Sequence, residues 1–290
     1  MSSYGRDALW DAATWAELDE VVAEEVKRVS VARKVFRTED LRTTSGAAPY
    51  WISGAEIQTT RDGMMLGAGH GLPFIEVSVP LRLTTAQVEA EETLHTTRTL
   101  ARAAAKNVAL AGDHIIFRGW MARPGNFGVK LRNASRRQGL ADMNRGPKLD
   151  LAFAPAVPTD PDDRVTALVN AVADGLSGLG SAGWTQPYAL VLDARLYSDA
   201  SFRSHGDFEH TLADRLGHKL RHCVMCGALD PETGLLVSLA GDTTTVYTAG
   251  TPSIAYVGEV LDHDGAFHHF RVFEQMQFVA RDPSCIRFIT

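Results

Sequence analysis

Hydrophobic side chains recur every three or four residues between positions 14 and 37, which predicts one amphipathic helix. Its apolar stripe consists of Trp15, Leu18, Val22, Val26, Val29 and Phe36. Thr14, with Glu17 three residues later, predicts a capping box at the start of this helix. Arg33 lies on the same stripe, and two interpretations stay open. Either its stem packs while its guanidinium reaches water, or it stands at the rim of an apolar groove that receives a peptide carboxylate or carbonyl.

The helical pattern stops between residues 41 and 72, where threonine, glycine and aromatic residues mix. Such a stretch has strand propensity but too few apolar positions on one face to form a core of its own. A connection of this length in a compact chain usually has a function or is stabilised from outside. We therefore expect an extended two-stranded arm that lies on a neighbouring subunit, because pairing there satisfies its exposed edges.

Apolar and polar positions alternate over residues 74–83, which predicts a half-buried strand. An alanine-rich helix follows from about Glu92 to Gly112, with Leu94 at the start of its buried stripe. The later segments are predicted as a helix at 165–179, a buried strand at 188–192, a helix marked by Leu212, Leu216 and Leu220, and strands at 234–239, 244–247, 253–257, 269–279 and 285–289. Because helices and strands alternate in the middle and strands dominate the end, the sequence predicts an α+β fold with more than one sheet.

The composition is that of an ordinary globular protein, with 290 residues of which 45% are hydrophobic and 22% charged. It excludes intrinsic disorder and a disulfide-stapled mini-protein. The formal net charge of −6 argues against nucleic acid as a partner, because phosphate binding requires clustered lysine and arginine. The one dense basic cluster, residues 130–137, is either a solvated loop or a subunit contact. No apolar stretch approaches the ~18 residues of a membrane span, and the acidic N-terminal segment does not resemble a secretory signal, so we expect a cytoplasmic protein with no membrane partner.

The residues that could carry chemistry do not form a recognisable catalytic set. Cys223 and Cys226 have the spacing of a redox or half-zinc motif, but a zinc site needs a second ligand pair and only Cys285 remains. A polar segment at 204–210 could hold a metal or an acid–base pair, or form a plain surface loop. Its candidate ligands are His205, Asp207, Glu209 and His210. We assign no catalytic residue and no metal.

Several segments along nearly the whole chain match one known pattern in their order and spacing. They are W-A-E-L-D-E-V-V-A-E-E-V-K-R at 15–28, A-R-K-V-F at 32–36, Leu72–Glu76, Val79–Leu83, Ile115–Gly119, Pro187–Leu192, Ser253–Tyr256 and Phe273–Phe278. In these segments the chain resembles the encapsulins, bacterial and archaeal shell proteins that share the fold of tailed-phage major capsid proteins. The resemblance depends on collinearity rather than on one specific motif.

The resemblance implies an α+β, tailed-phage major-capsid-like fold in three parts. Residues 1–40, 73–118 and 240–290 are expected to form a peripheral domain with the N-terminal helix and a spine helix. Residues 41–72 correspond to the extended inter-subunit β-arm loop, and residues 119–239 to the apical domain. The same resemblance implies an icosahedral homo-oligomer of sixty copies or a multiple of sixty, which closes through heterologous contacts.

The resemblance further implies that the shell encloses a cargo enzyme, such as a ferritin-like protein, a peroxidase or another redox protein. The cargo is expected to dock through a C-terminal targeting peptide between the opening helix and the C-terminal sheet. The matching positions are Val26, Val29, Arg33, Phe36, Ile254 and Tyr256. The family's pore loop corresponds to His205, Gly206 and Asp207. Ala86 stands where some members carry an aromatic residue that stacks on a flavin, so we predict no cofactor.

Two alternatives to a cargo-filled shell stay open. A phage capsid protein would share the fold, although the net negative charge argues against packaging a genome. An enzyme of another class, either a peptidase or bacteriocin-like hydrolase or a metalloprotein, would use the polar segment at 204–210. We expect a structural protein rather than an enzyme.

Overall fold

The computed structural model describes residues 9–42, 51–54, 57–60, 63–66, 71–119, 128–133, 139–140, 161–201, 219–262 and 265–290. The helices are α1 (Ala12–Val29), α2 (Val31–Val35), α3 (Thr85–Glu89), α4 (Glu91–Leu94), α5 (Thr96–Arg118), α6 (Pro161–Ser181) and α7 (Ala194–Ser201). The strands are β1 (Arg37–Asp40), β2 (Trp51–Ser53), β3 (Ile57–Thr60), β4 (Gly63–Leu66), β5 (Gly71–Pro73), β6 (Ile75–Thr84), β7 (Lys130–Arg132), β8 (Tyr188–Leu192), β9 (Leu220–Met225), β10 (Gly234–Ser238), β11 (Thr244–Thr248), β12 (Ser253–Asp262), β13 (Gly265–Ala280) and β14 (Ile286–Ile289). Among the residues described, no helix combines the length and the apolar character needed to cross a membrane.

The N-terminal amphipathic pattern forms two helices rather than one. Ser30 separates α1 from α2 because its backbone is extended, with ψ 122°. The capping box predicted at Thr14 is wrong by three residues, since the N-cap is Asp11. The Asp11 carboxylate accepts a hydrogen bond from the Thr14 N–H at 2.8 Å and satisfies one of the N–H groups that a helix start leaves without a partner.

The strand predicted at 74–83 is confirmed as β6, and the long helix that follows it is confirmed as α5. This helix begins later than expected, because His95 adopts a left-handed conformation with φ 48° between α4 and α5. Leu94, which was predicted to lie on the buried stripe, therefore ends α4 and is 63% exposed. The buried face of α5 is rich in small side chains, which lets α1 pack closely against it. These residues are Ala101, Ala104, Ala105, Ala109 and Ala111.

The larger sheet has the strand order β1-β11-β13-β6-β7, and β12 pairs with the first half of β13. β1 runs parallel to β11, whereas the other pairs are antiparallel. Helices α1 and α5 pack on one face of this sheet and share its core. The core includes Trp15, Val22, Val26, Val77, Val108, Phe270 and Val272. This packing holds the opening helix beside β12 and β13, the two strands that the sequence predicted as its partners in a docking site.

A second sheet has the order β14-β10-β8-β9 and packs against α6 and α7 around Leu168, Leu190 and Leu236. Leu220 begins β9, so its assignment to a helix is wrong, while Leu212 and Leu216 lie outside the described residues. The C-terminal strand β14 pairs with β10, although the segment 240–290 was expected to belong to the peripheral domain. The strands predicted in the last third of the chain are all present, which confirms an α+β fold with more than one sheet.

The segment between β1 and β6 forms two short antiparallel ribbons, β2 with β5 and β3 with β4. Met64 and Met65 in β4 are 72% and 53% exposed. The Ile57 N–H donates a hydrogen bond to the Arg281 carbonyl at 2.8 Å, which ties the second ribbon to its own chain. Contact of the arm with a neighbouring subunit stays a prediction.

Candidate peptide-docking seam

The corner between α1 and α2 is held by a carboxylate of the spine helix. Asp113 on α5 accepts hydrogen bonds from the Ser30 hydroxyl and the Val31 N–H, both at 2.8 Å, and from the Ala32 N–H at 3.0 Å. The Ser30 Oγ in turn accepts a hydrogen bond from the Arg33 N–H at 3.2 Å. Because the first N–H groups of a helix have no partner within it, Asp113 fixes both the start of α2 and the angle between the two helices.

The pKa of Asp113 is raised to about 6, mainly by burial and to a smaller extent by the nearby Glu274 carboxylate. The three hydrogen bonds act in the opposite direction because they stabilise the charged form. Burial has the larger effect because Asp113 is only 2% exposed. The corner therefore contains a carboxyl group whose pKa lies well above its ordinary value of 3.8.

Arg33 forms a buried ion pair with Glu274 of β13. The exposed fractions of the two side chains are 15% for Arg33 and 2% for Glu274. The guanidinium thus lies against a buried carboxylate rather than extending into water, which is contrary to the snorkelling interpretation. Arginine carries five N–H donors in a planar fork, so an arginine in this position retains donors for a further acceptor.

The six predicted docking residues divide into two groups by exposure. Val26, Phe36 and Ile254 are buried in the core of the chain, at 0%, 4% and 0% exposure. Val29 and Tyr256 pack on this core but remain partly exposed. We call the surface that α1 and α2 form with β12 and β13, on which Val29, Arg33 and Tyr256 lie, the docking seam. The three buried residues lie beneath the seam and support it.

The two ends of the docking seam are joined by strand β13. Arg33 contacts Glu274, whereas Tyr256 is paired in register with Phe270, four residues earlier on β13. At about 3.3 Å per residue, the two positions are separated by about 13 Å along the strand. The Ile254 N–H at the start of β12 donates to the Asp19 carboxylate of α1 at 3.0 Å, which fastens the two walls to each other.

The other predicted sites are not brought into the docking seam. The pore residues His205, Gly206 and Asp207, and the whole polar segment at 204–210, lie outside the described residues. Cys223, Cys226 and Cys285 form no disulfide. Burial raises the pKa of Cys223 to about 11 and of Cys226 to about 12, so both thiols are protonated at neutral pH. In the described part of the chain, no three histidine, cysteine or carboxylate side chains are grouped as metal ligands.

Comparison with known proteins identifies the family of this chain. Residues 5–277 match the model of the family described as "Encapsulating protein for peroxidase". The chain belongs to this family, the encapsulins. It is 25% identical over 283 residues to a type 1 encapsulin shell protein of Rhodococcus erythropolis, with 96% of each chain covered. It is 24% identical over 197 residues to a type 1 encapsulin shell protein of Mycobacterium tuberculosis, which covers 67% of this chain and 66% of the relative.

Solved structures give the same fold. The virus-like particle protein of Pyrococcus furiosus superposes with a TM-score of 0.68 at 11% identity, covering 96% of this chain and 99% of that chain. The capsid protein of the myovirus XM1 superposes with a TM-score of 0.54 at 11% identity, covering 88% and 89%. The chain therefore has the α+β fold of tailed-phage capsid proteins, and as an encapsulin it is a structural shell protein that assembles with copies of itself. This membership is contrary to the two enzyme alternatives, a peptidase or bacteriocin-like hydrolase and a metalloprotein.

Three carboxylates that organise the docking seam, Asp19, Asp113 and Glu274, were not predicted from the sequence. Two of them leave a signal in the hydrophobic pattern. Glu274 interrupts an alternating buried row on β13 that otherwise contains Phe270, Val272 and Met276, and Asp113 interrupts the buried face of α5. A charged residue on a buried face requires a partner, so each interruption indicates a specific contact.

Proposed function

We propose that this shell protein closes into an icosahedral compartment of sixty copies, or a multiple of sixty, around a cargo enzyme. The observation that carries the proposal is the docking seam, in which a valine, an arginine and a tyrosine remain partly exposed beside elements that are held together by polar contacts. The family's description names a peroxidase as the enclosed protein. A peroxidase or another redox enzyme is therefore the expected cargo.

The targeting peptide of the cargo is proposed to lie along the docking seam in an extended conformation. Apolar side chains of the peptide pack against Val29 and Tyr256, which are partly exposed on a rigid core. A peptide carbonyl or carboxylate accepts a hydrogen bond from Arg33, whose position is already fixed by Glu274. Because both walls are held in place before binding, the shell loses little conformational entropy when the peptide docks.

Small ions and metabolites are proposed to enter through a pore lined by His205, Gly206 and Asp207. This part of the proposal comes from the position of these residues in the family pattern. The compartment is proposed to lie in the cytoplasm, because all three thiols are unbridged and a reducing compartment preserves them. Neither nucleic acid nor a membrane is proposed as a partner.

The test replaces Val29 by aspartate, which places a charge in the middle of the docking seam. Particles are purified from cells that express the native cargo, counted by negative-stain electron microscopy, and their co-purifying proteins are identified by mass spectrometry. We expect normal particles that have lost the cargo, because an apolar peptide side chain cannot pack against the new carboxylate.

The matched control is Val169→Asp on α6, a partly buried valine on an amphipathic helix that packs on the other core. This variant is expected to keep its cargo. Unchanged cargo content in the Val29→Asp particles would reject the docking seam. A ratio of absorbance at 260 nm to 280 nm typical of nucleic acid in the wild-type particles would favour the phage-capsid alternative instead.

A further inference from the structure

Strand β12 forms an edge of the larger sheet, and its second half carries large apolar side chains that are exposed. Among the described residues this strand pairs with β13 alone. Its first half is hydrogen-bonded to α1 through the Ile254 N–H, but Val257, Val260 and Leu261 are 63%, 50% and 81% exposed. An open strand edge with exposed apolar residues is a ready contact site for another chain. We call residues 257–261 the apolar edge.

The opposite edge of the same sheet is β7, which is short and basic. Residues 267–273 of β13 pair with β12 and with β6 at the same time, so these two strands lie on opposite sides of β13. β7 pairs with the far side of β6. Lys130 and Arg132 of β7 are exposed, and they begin the basic cluster at 130–137, for which the sequence allows a solvated loop or a subunit contact. We call β7 the basic edge.

The two edges carry opposite charges. Glu259 is exposed in the apolar edge, and residues 257–262 contain no lysine or arginine. The basic edge contains Lys130 and Arg132 and no acidic residue. Contact between two copies of the same edge would bring like charges together, which is destabilising. Contact between the apolar edge of one chain and the basic edge of another brings unlike charges together.

A contact between two different edges also has the symmetry that a shell requires. Because the edges lie on opposite sides of one sheet, each chain can contact one neighbour through β12 and another neighbour through β7. Such a head-to-tail contact closes into a ring by rotation, whereas a contact between identical edges joins only two chains. The charges and the symmetry therefore both indicate a second copy of this chain as the partner of the apolar edge.

We propose that the apolar edge of one subunit packs against the basic edge of the next subunit, with Glu259 of one chain facing Lys130 of the other. Val257, Val260 and Leu261 lose their contact with water in this interface. The inference goes beyond the proposed function, because it assigns a surface to the contact between subunits and does not depend on the cargo.

The first test reverses the two charges separately and together. We expect Glu259→Lys and Lys130→Glu each to reduce the fraction of protein that sediments as closed particles by about tenfold, because like charges then face each other across the interface. The double variant Glu259→Lys/Lys130→Glu is expected to recover about half of the wild-type particle fraction or more, since the attraction is restored with the signs reversed. Asp174→Lys makes the same charge change at an exposed position on α6 and is expected to assemble like wild type.

The second test detects the contact directly with a carbodiimide, which joins a carboxylate to a lysine amine as an amide without a spacer. Within one chain Glu259 lies opposite His268, and His268 lies opposite Leu83 of β6, whereas Lys130 lies opposite Ser78 of β6. The two positions are thus about 17 Å apart along the strands and about 14 Å apart across them. An amide between Glu259 and Lys130 therefore has to join two different chains.

We expect mass spectrometry of carbodiimide-treated wild-type particles to find peptides joined through Glu259 and Lys130. The matched control is Lys130→Arg, which keeps the positive charge but has no amine that forms this amide. Its particles are expected to be normal, and the joined peptides are expected to be absent from them.

Three results would overturn the proposal. Normal assembly of both single charge reversals would show that the two edges do not contribute to the shell. A double variant that assembles no better than the single variants would show that the edges do not face each other. Wild-type particles in which other lysines are joined to carboxylates, but Lys130 is not joined to Glu259, would contradict the contact itself. Cargo loss from Val29→Asp particles is measured on assembled shells, so it tests the docking seam separately.

Discussion

The ion pair between Arg33 and Glu274 allows stability and docking to be separated by experiment. Changing Arg33 to methionine leaves Glu274, which is 2% exposed, without its partner. Breaking a buried pair from one side costs about 3–5 kcal/mol, because an unpaired charge remains in the core. For a chain of this size, about 2 °C of melting temperature corresponds to each kcal/mol, so we expect a decrease of about 6–10 °C.

The double variant Arg33→Met/Glu274→Met removes both charges and is expected to melt close to wild type, because apolar residues can replace a buried ion pair with little loss. It nevertheless lacks the arginine of the docking seam, so its particles should contain less cargo than wild-type particles. The assay is calorimetry of purified particles at pH 7 and one scan rate, followed by quantification of cargo. A decrease of less than about 2 °C for Arg33→Met, or a double variant that loses stability additively, would refute the buried-pair reasoning.

Two further changes test other parts of the structure. The pKa of Asp113 is about 6 in the folded chain against an ordinary value of 3.8, so its contribution to stability is fully present below about pH 4 and is lost as the pH rises through 6. This pKa shift corresponds to about 3 kcal/mol of stability. The difference in melting temperature between pH 5 and pH 7 should therefore be smaller in Asp113→Asn than in wild type. Equal differences in the two proteins would contradict the raised pKa of Asp113. Replacing residues 45–68 by a short glycine–serine linker should prevent the formation of closed particles, since this segment carries the exposed Met64 and Met65 and the ribbon that β3 forms with β4. Normal particles on electron micrographs would show that the arm is dispensable.

Much of the fold was predictable because its elements are marked by local hydrophobic periodicity. The alternation in β6 and the alanine-rich face of α5 depend only on neighbouring residues, and both were found within a few positions. The break at Ser30 was not predicted, because the apolar stripe continues across it and the cause is a carboxylate 83 residues away, Asp113. Leu220 was misassigned since a leucine at helical spacing also fits the first residue of a buried strand.

The docking residues were chosen from their place in the family pattern, and burial could not be inferred from that pattern alone. Val26 and Ile254 are apolar residues on the same faces as Val29 and Tyr256. Val26 and Ile254 are fully buried in the core, whereas Val29 and Tyr256 are partly exposed. Their exposure depends on how α1 is fastened to β12 through Asp19, a contact between residues 235 positions apart. Such long-range polar contacts decide which side chains of a predicted site remain accessible.

Sedimentation velocity of the purified protein, with negative-stain images of the same sample, tests the central claim that the chain acts only as a closed assembly. The subunit mass is 31.5 kDa, so a closed shell of sixty copies has a mass of about 1,900 kDa. We expect one boundary at this mass or a multiple of it, with hollow round particles on the grid. A stable, well-folded species of 31.5 kDa at high protein concentration, with no particles, would contradict the claim.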